Sequence, residues 1–176
     1  MSQVLLLCGS VRKGSSNEAM LRLVQEVAEE PFSTVEPLST VFYEGLGDLP
    51  HFNPDLDADP LPEPVAGLRR AIAEADAVLV CTPEYAGTLP GSFKNLLDWT
   101  VGGTEICDKP TGWINAANLG RGEGAAETLR MVLQYTGAAI VGDACVRIAI
   151  ADPDARERIS AVLAALLNAG ADTAGV

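Results

Sequence analysis

A loop rich in glycine and hydroxyl side chains, GSVRKGSSN, follows the first apolar run and precedes a helical pattern. A helix N-terminus presents unpaired N–H groups and the positive end of the helix dipole, which together favour a phosphate group. An arginine adds charge-assisted contacts to phosphate oxygens. The loop therefore predicts a phosphate site, with donors from Ser10, Arg12, Ser15, Ser16 and Asn17. The alternative is plain helix capping by Ser16 or Asn17 with glycine turns.

The common nucleotide-binding and phosphatase motifs do not match this loop. Gly9 and Gly14 have the spacing of a P-loop, but Ser15 stands where its lysine belongs. No GxGxxG sequence follows the first apolar run, and a phosphatase loop beginning at Cys8 would need arginine where Gly14 stands. We therefore do not expect chemistry of these three types.

A second candidate loop begins the segment PEYAGTLPGSFKNLLDW, directly after the apolar run Ala77–Cys81. Pro83 and Pro90 restrict φ at both ends of the loop. Gly87 and Gly91 permit conformations or close approaches that a Cβ would block. A rigid loop at the carboxyl end of a parallel strand is where open α/β sheets bind ligands. The segment therefore predicts a second wall of the same site.

Other catalytic constellations are weak. His51 is the single histidine, so a Ser–His–Asp triad would need a coincidence. The alternation of Asp55, Asp57 and Asp59 lacks the glycine and distal glutamate of a calcium loop, and a solvated acidic loop is expected instead. The sequence thus predicts neither a catalytic side chain nor a metal site.

Charge and composition restrict the partners. The 176 residues include 24 acidic and 12 basic side chains, a net charge of −12, which disfavours nucleic acid and anionic membranes. Cys8, Cys81 and Cys145 lie in apolar runs and, with Cys107, show no metal-ligand spacing, as expected of a reducing compartment. No run approaches the roughly 18 apolar residues of a membrane helix, and the N-terminus does not resemble a signal peptide. A cytoplasmic protein is expected.

Hydrophobic periodicity predicts alternating strands and helices. Strands are expected at Val4–Cys8, Ser39–Tyr43, Ala77–Cys81 and Thr111–Ala116, with a last strand from Ala139–Val141 and Cys145–Ile150. Helices are expected from Asn17 to a stop at Pro31, at Val65–Ala75, Ser92–Val101 and Ala125–Tyr135, and from Asp152 onwards. Between them, Asp48–Pro64 contains five prolines and five acidic residues and predicts a long surface excursion.

Five strand–helix alternations require right-handed crossovers and a parallel sheet covered on both faces. We expect one domain over residues 1–176, ending in a short loose tail. The predicted fold is α/β, a three-layer doubly wound sandwich of flavodoxin-like type, with five parallel strands in the order 2-1-3-4-5. Its switch point between strands one and three brings the two candidate loops together.

Taken together, GSVRKGSSN, the LPHFNPDL excursion, PEYAGTLPGSFKNLLDW and the later glycine-rich loop resemble the NAD(P)H-dependent FMN reductase family. The resemblance extends over Val4–Ile150, with the motifs in matching order. That family has the flavodoxin-like fold and includes quinone, azo-compound and chromate reductases.

The resemblance implies an FMN site. The phosphate-loop residues match Ser10, Arg12, Ser15, Ser16 and Asn17. The loop against the ring and ribityl chain matches Pro83, Glu84, Tyr85, Ala86 and Gly87, and a third contact set falls at Asn115 and Asn118. Lys94, Asn95, Asp98 and Trp99 match the family's KNxxDW helix, where fixing the loop and packing the helix are expected.

Two positions depart from the family pattern. Family members usually carry asparagine where Ala86 stands, so one polar contact near the flavin is missing. The third loop, with Asn115 and Asn118, commonly begins with serine in the family. Neither change removes a group that hydride transfer requires, because the flavin carries that chemistry.

The resemblance implies an enzyme in which NADH or NADPH gives a hydride to bound FMN. A quinone, free flavin, azo compound or metal oxyanion is then reduced in ping-pong fashion. It also implies a homodimer or homotetramer, with the excursion and the third loop as candidate interface surfaces. The rival interpretation is a non-enzymatic, flavodoxin-like electron carrier, whose acidic surface would suit basic partners. A fold relative without flavin that acts as a binding or regulatory module is the remaining alternative.

Overall fold

Within residues 2–30 and 38–173, which the computed structural model describes, five parallel strands form one sheet with helices on both faces. Side chains are described up to residue 170. The strands are β1 (Ser2–Cys8), β2 (Leu38–Tyr43), β3 (Ala77–Cys81), β4 (Pro110–Asn115) and β5 (Ala139–Arg147). The α-helices are α1 (Ser16–Glu29), α2 (Glu63–Glu74), α3 (Gly91–Asp98), α4 (Glu123–Tyr135) and α5 (Ala155–Thr173). The order β2-β1-β3-β4-β5 confirms the predicted flavodoxin-like fold.

The central strand β1 is buried on both faces. Val4 and Leu6 pack with apolar residues of α1 and α5, whereas Leu5 and Leu7 pack with those of α2, α3 and α4. Each buried leucine contributes about 1.5–3 kcal/mol relative to an exposed one. This double burial explains why the strand is an uninterrupted apolar run rather than an alternating one.

Several boundaries differ from the predicted ones. Helix α2 begins two residues before Val65, and α3 ends at Asp98 rather than Val101. At that end, the Thr100 and Val101 N–H groups bond three residues back, which tightens the last turn and ends the helix. The predicted stop of α1 at Pro31 lies outside the described residues.

The last strand is a single continuous strand, although its pairing with β4 is irregular. The two predicted pieces are joined in β5, which ends before Ile150. A register shift between Thr111 and Trp113 accommodates the extra residues of β5, so that both ends of the two strands still pair. Gly112 lies at this shift, where a Cβ would fall 2.6 Å from the Cβ of Ala144. The close approach therefore requires a glycine.

The proline-rich excursion is fastened to α3. Asn95 accepts a hydrogen bond from the Phe52 N–H at 2.8 Å, and its own Nδ2 donates to the Pro50 carbonyl at 2.9 Å. The Trp99 indole N–H donates to the same carbonyl at 2.8 Å. Asn95 and Trp99 thus hold the excursion, whereas the expectation for the KNxxDW residues concerned the loop that begins at Pro83.

A buried ion pair anchors the second half of the excursion. Arg69 Nη2 lies 2.6 Å from Asp57 Oδ1, and both side chains are only 10% exposed. The same guanidinium donates to the Trp99 carbonyl from Nε and Nη2. The expectation of a solvated acidic loop was therefore wrong for Asp57, because the spacing of acidic residues carries no information about a distant partner.

Candidate cofactor site

Three loops meet at the carboxyl edge of the sheet. The first loop (residues 9–15) follows β1, the second loop (residues 82–90) follows β3, and the third loop (residues 116–122) follows β4. Because β1, β3 and β4 are neighbours in the sheet, these loops are neighbours as well. The chain leaves β1 towards one face and β3 towards the other, so the loops border the switch point where such folds bind ligands.

Backbone contact joins the first two loops. The Gly9 N–H donates to the Cys81 carbonyl at 2.9 Å. A Cβ at Gly9 would fall 2.1 Å from Thr82 Oγ1 and 2.9 Å from Thr82 Cα. Only glycine therefore lets the chain pass so close to the beginning of the second loop.

The first loop is preorganised by its own side chains. Ser15 caps α1, with its Oγ accepting from the Glu18 N–H at 3.1 Å, so the cap is neither Ser16 nor Asn17. Glu18 accepts in return from the Gly14 N–H at 2.7 Å, and Ser10 Oγ accepts from the Arg12 N–H at 3.2 Å. This arrangement is close to a capping box, in which side chains at both ends of the first turn satisfy main-chain donors.

Several donors of the first loop remain available to a ligand. Among the described residues, none accepts a hydrogen bond from the main-chain N–H groups of Lys13, Ser16 or Asn17. The exposed side chains of Arg12 and Lys13 likewise form no ion pair with any described residue. A helix N-terminus with free N–H groups and two uncommitted cations is a suitable phosphate cradle.

A cavity of about 410 Å³ adjoins the first loop on the side of β2. Its wall contains three cations and three carboxylates, those of Arg12, Lys13, Arg22, Glu18, Glu44 and Asp48. The Arg22 guanidinium is already engaged, since it lies 4.1 Å from the centre of the Phe42 ring. The free cations of this wall are therefore those of the first loop.

Asn17, Cys8 and Cys81 are buried beneath the loop, and Cys8 also contributes to the wall of the cavity. Asn17 is buried, and its Oδ1 accepts from the Cys81 thiol at 3.4 Å. Burial raises the pKa of the Cys81 thiol and, as the largest effect, that of Cys8. Both thiols are therefore held neutral, which argues against a thiolate nucleophile here. Cys145, predicted as a core residue, is only half-buried.

The second loop contains a tight two-residue turn. Tyr85 and Thr88 exchange main-chain hydrogen bonds of 3.0 and 3.1 Å. Ala86 and Gly87 between them have φ angles of 51° and 78°, which is the pattern of a type I′ turn. No described residue accepts from the N–H groups of Ala86 and Gly87, so both donors are available at the edge of the crevice. The Tyr85 ring beside them is 54% exposed.

The second loop is attached to α4. Glu84 Oε2 accepts from the Ala125 N–H at 3.1 Å, and Thr88 Oγ1 donates to Thr128 Oγ1 at 2.9 Å. Gly124 lies so close that a Cβ there would fall 2.2 Å from the Gly87 carbonyl oxygen. The Glu84 side chain thus reaches the neighbouring helix.

Both predicted asparagines help to build the third loop. The Asn115 side chain donates to the Arg121 carbonyl at 3.2 Å and accepts from the Ala117 N–H at 3.0 Å. The Asn118 carbonyl accepts from the Arg121 N–H at 3.1 Å. The amide of Asn115 is therefore committed to the loop, while its role towards a cofactor stays a prediction.

Arg147 is a site residue that the sequence did not indicate. From the carboxyl end of β5, its Nη1 donates to the Ala117 and Asn118 carbonyls at 2.8 Å each. Its Nη2 lies 2.6 Å from Glu123 Oε1. The predicted last strand extended to Ile150, so the sequence did not indicate that Arg147 lies at the carboxyl end of the strand next to β4.

Neither a membrane-spanning helix nor a metal-binding cluster is present among the described residues. Across these ranges, no helix combines the length and apolar composition needed to span a membrane. Within the same ranges, no three histidine, cysteine, aspartate or glutamate side chains are grouped closely enough to hold a metal ion.

Comparison with known proteins identifies the family. Residues 2–152 match the model of the NADPH-dependent FMN reductase family. An NAD(P)H:quinone oxidoreductase of Solanum tuberosum is 36% identical over 94 residues, which cover 53% of this chain and 46% of the relative. An NAD(P)H-dependent FMN reductase of Pseudomonas aeruginosa is 34% identical over 128 residues, which cover 73% and 64%. The first of these alignments thus spans about half of the curated relative.

A solved structure resembles this fold over nearly its whole length. It is FerB, a flavoenzyme NAD(P)H:(acceptor) oxidoreductase from Paracoccus denitrificans, with a TM-score of 0.80, 27% sequence identity and 98% coverage of both chains. The match of the family model to most of the chain, together with this likeness, leads to one conclusion. The chain belongs to the NADPH-dependent FMN reductase family.

Proposed function

We propose that this protein binds FMN at the three-loop crevice and acts as an NAD(P)H-dependent oxidoreductase on a small-molecule acceptor. The observation that carries the proposal is the first loop, where N–H groups at a helix N-terminus and two neighbouring cations have no partner among the described residues. A phosphate at this position would meet donors that are already in place, so binding would require little reorganisation.

The first loop would hold the FMN phosphate. Main-chain N–H groups and the hydroxyls of Ser10, Ser15 and Ser16 supply neutral donors, and Arg12 supplies a charge-assisted contact. Asn17 would act from beneath the loop, since its side chain is turned towards Cys81.

The second and third loops would enclose the flavin ring and ribityl chain. The proposed contacts of the second loop are Pro83, Glu84, Tyr85, Ala86 and Gly87, with hydrogen bonds from the free N–H groups of its turn. Main-chain donors on a stiff turn need no side-chain ordering, which lowers the entropic cost of binding. Asn115 and Asn118 complete the proposed set through the third loop.

When bound, FMN supplies the two-electron chemistry of hydride transfer from NAD(P)H to an acceptor. The chain's part is to bind the phosphate, orient the ring and leave one face open. No protein acid or base is needed for the first half-reaction, which agrees with the neutral thiols beneath the loop.

The proposed acceptor is a quinone, with free flavins, azo compounds and metal oxyanions as further candidates. The named activities of the quinone oxidoreductase and FMN reductase relatives support this choice. NAD(P)H and the acceptor would occupy the same open crevice in turn, so steady-state kinetics would be of the ping-pong type.

A homodimer or homotetramer is part of the proposal. In the C-terminal half of α4, Met131 and Tyr135 are 51% and 88% exposed, and their spacing of four residues puts both on the same face of the helix. A cytoplasmic location is also proposed, and the four unpaired cysteine thiols support it.

Replacement of Arg12 tests the phosphate site. Arg12→Ala should weaken FMN binding about 10- to 150-fold, equivalent to about 1.5–3 kcal/mol for a hydrogen bond to a charged group. The measurement is titration of apoprotein with FMN, followed by quenching of flavin fluorescence. Arg70→Ala is the matched control, because Arg70 is exposed on α2 and pairs weakly with Glu63 at 3.9 Å.

Three results would count against the proposal. Equal FMN affinity in the Arg12 and Arg70 variants would remove Arg12 from the site. Wild-type protein that fails to take up FMN would refute the cofactor assignment. FMN-loaded protein that reacts only through a partner reductase would instead favour the electron-carrier interpretation.

A further inference from the structure

Within the third loop, the Asn115 side chain and the Asn118 carbonyl bond to the main chain, but these bonds leave the junction with α4 without a cap. Gly120 and Gly122 have φ angles of 80° and 82°, and Gly122 is the N-cap of α4. A glycine cap has no side chain to accept from the first turn of the helix, and none is observed there. The wall of the crevice formed by this loop therefore depends on contacts from elsewhere in the chain.

Arg147 holds the loop from one side. Its guanidinium bonds two successive loop carbonyls, those of Ala117 and Asn118, and also the carboxylate of Glu123 at the beginning of α4. The main chain of Arg147 is itself fixed, because it pairs with Asn115 in the sheet and its carbonyl accepts from Arg158 at 2.7 Å. Three acceptors in different directions require the planar fork of an arginine, which a lysine ammonium does not offer.

Glu84 holds the loop from the other side. Its carboxylate accepts from the Ala125 N–H, and so supplies from 41 residues away the cap that Gly122 lacks. A carboxylate at this position also interacts favourably with the helix dipole. The contact is possible because Gly124 lets α4 come against the Gly87 carbonyl.

We propose that Glu84 and Arg147 are positioning residues that fix the third loop against the second loop and thereby set the affinity for FMN. This inference rests on the proposed function, since it takes the loops as the walls of the flavin site. Neither side chain needs to touch a reacting atom. Arg147 acts through the position of the loop, and Glu84 does so in addition to its proposed contact with the flavin. Part of the FMN affinity is thus determined at the ends of β3 and β5, outside the third loop itself.

Two measurements on Arg147→Met and Glu84→Ala test this proposal. The first is hydrogen exchange of the apoprotein at the Ala117, Arg121, Ala125 and Ala126 amides, which bond within or next to the loop. The second is FMN titration. We expect exchange at these amides to rise about tenfold or more, and FMN binding to weaken about tenfold, in line with the loss of charged hydrogen bonds.

The controls separate positioning from general destabilisation. Arg156→Met removes the same charge and two ion pairs with Glu26 and Glu30, but on α1 and α5, away from the third loop. This variant should leave hydrogen exchange at the loop amides and FMN affinity unchanged. Arg147→Lys keeps the charge but lacks the planar guanidinium, so it should restore only part of the protection from exchange and part of the FMN affinity. Thermal unfolding of each variant identifies any that is not folded.

The outcomes are distinguishable. If hydrogen exchange at the loop amides is unchanged in both Arg147→Met and Glu84→Ala, the two residues do not hold the loop and the proposal is overturned. Faster exchange with unaltered FMN affinity would show that holding the loop does not affect the flavin site, and would equally overturn the proposal. If wild-type protein takes up no FMN, the proposed function fails, while the exchange data still decide whether the two residues hold the loop.

Discussion

Ala86 shows how a single backbone conformation can explain a departure from the family pattern. Its φ of 51° lies in the left-handed region, which costs an ordinary residue about 1–2 kcal/mol. Asparagine tolerates that region better, because its short polar side chain can bond locally. The asparagine usual in the family at this position therefore suits the turn, whatever contact it makes with a flavin.

Ala86→Asn should accordingly stabilise the apoprotein by about 0.5–1 kcal/mol, as the strain at a left-handed position is relieved. Urea unfolding of the apoprotein measures this directly. Gly87→Ala is the opposing control, with φ of 78° and open space around the added methyl group, and should destabilise by about 1 kcal/mol or more. Equal stability of Ala86→Asn and wild type would show that the turn is not strained.

Sequence reasoning could single out the first loop as a candidate phosphate site because its chemistry is local. Ser10, Arg12 and Ser15 lie within one short segment, and a helix N-terminus needs nothing distant to attract phosphate. The same reasoning did not predict the hydrogen bonds of Asn17 and Asn115. Their side-chain oxygens accept from the Cys81 thiol and from the Ala117 N–H, respectively. Residue type indicates what a side chain can donate or accept, but not which partner it meets.

At the scale of elements, the contact between the second loop and α4 is narrow enough to demand glycine. A Cβ at Gly124 would fall 2.2 Å from the Gly87 carbonyl oxygen and 3.2 Å from Glu84 Oε2. The nearer atom belongs to the main chain, so no change of rotamer relieves the clash. The two crevice walls would have to separate.

Gly124→Ala should therefore destabilise the protein by about 1–3 kcal/mol, as is typical of overpacking, despite the better helix propensity of alanine. Gly67→Ala in α2 is the matched control, because nothing lies within 4 Å of the added methyl group. That variant should gain about 0.5–1 kcal/mol. Chemical denaturation compares the two, and a stabilised Gly124→Ala variant would contradict the close packing of the loops.

The conformation of the excursion between β2 and α2 also depends on a contact with another element, the Asp57–Arg69 ion pair. Breaking the buried Asp57–Arg69 pair with Asp57→Ala should cost about 3 kcal/mol, since Arg69 keeps its charge in a buried place. Glu63→Ala, which breaks an exposed pair with Arg70, should change stability by less than about 1 kcal/mol. The free energies of unfolding in urea provide the comparison, and equal losses would mean that the Asp57 pair is not effectively buried.

For the whole molecule, the fold followed from the sequence because apolar runs and periodic helices alternate five times, which leaves few topologies. The contacts that complete the crevice could not be predicted in this way. Glu84 and Ala125, or Asp57 and Arg69, are far apart in the chain, and hydrophobic periodicity does not encode such pairs. These pairs become visible only in the folded structure, where the segments that carry them lie side by side. The extent of the domain, residues 1–176, stays a prediction.

The proposed oxidoreductase activity can be tested by anaerobic reduction of the FMN-loaded protein with NADPH and with NADH. We expect one equivalent of at least one of the two nucleotides to bleach the visible flavin band rapidly, without a partner protein, and a quinone then to restore the band. If the band of the FMN-loaded protein persists with both nucleotides, the protein is not an NAD(P)H-dependent oxidoreductase.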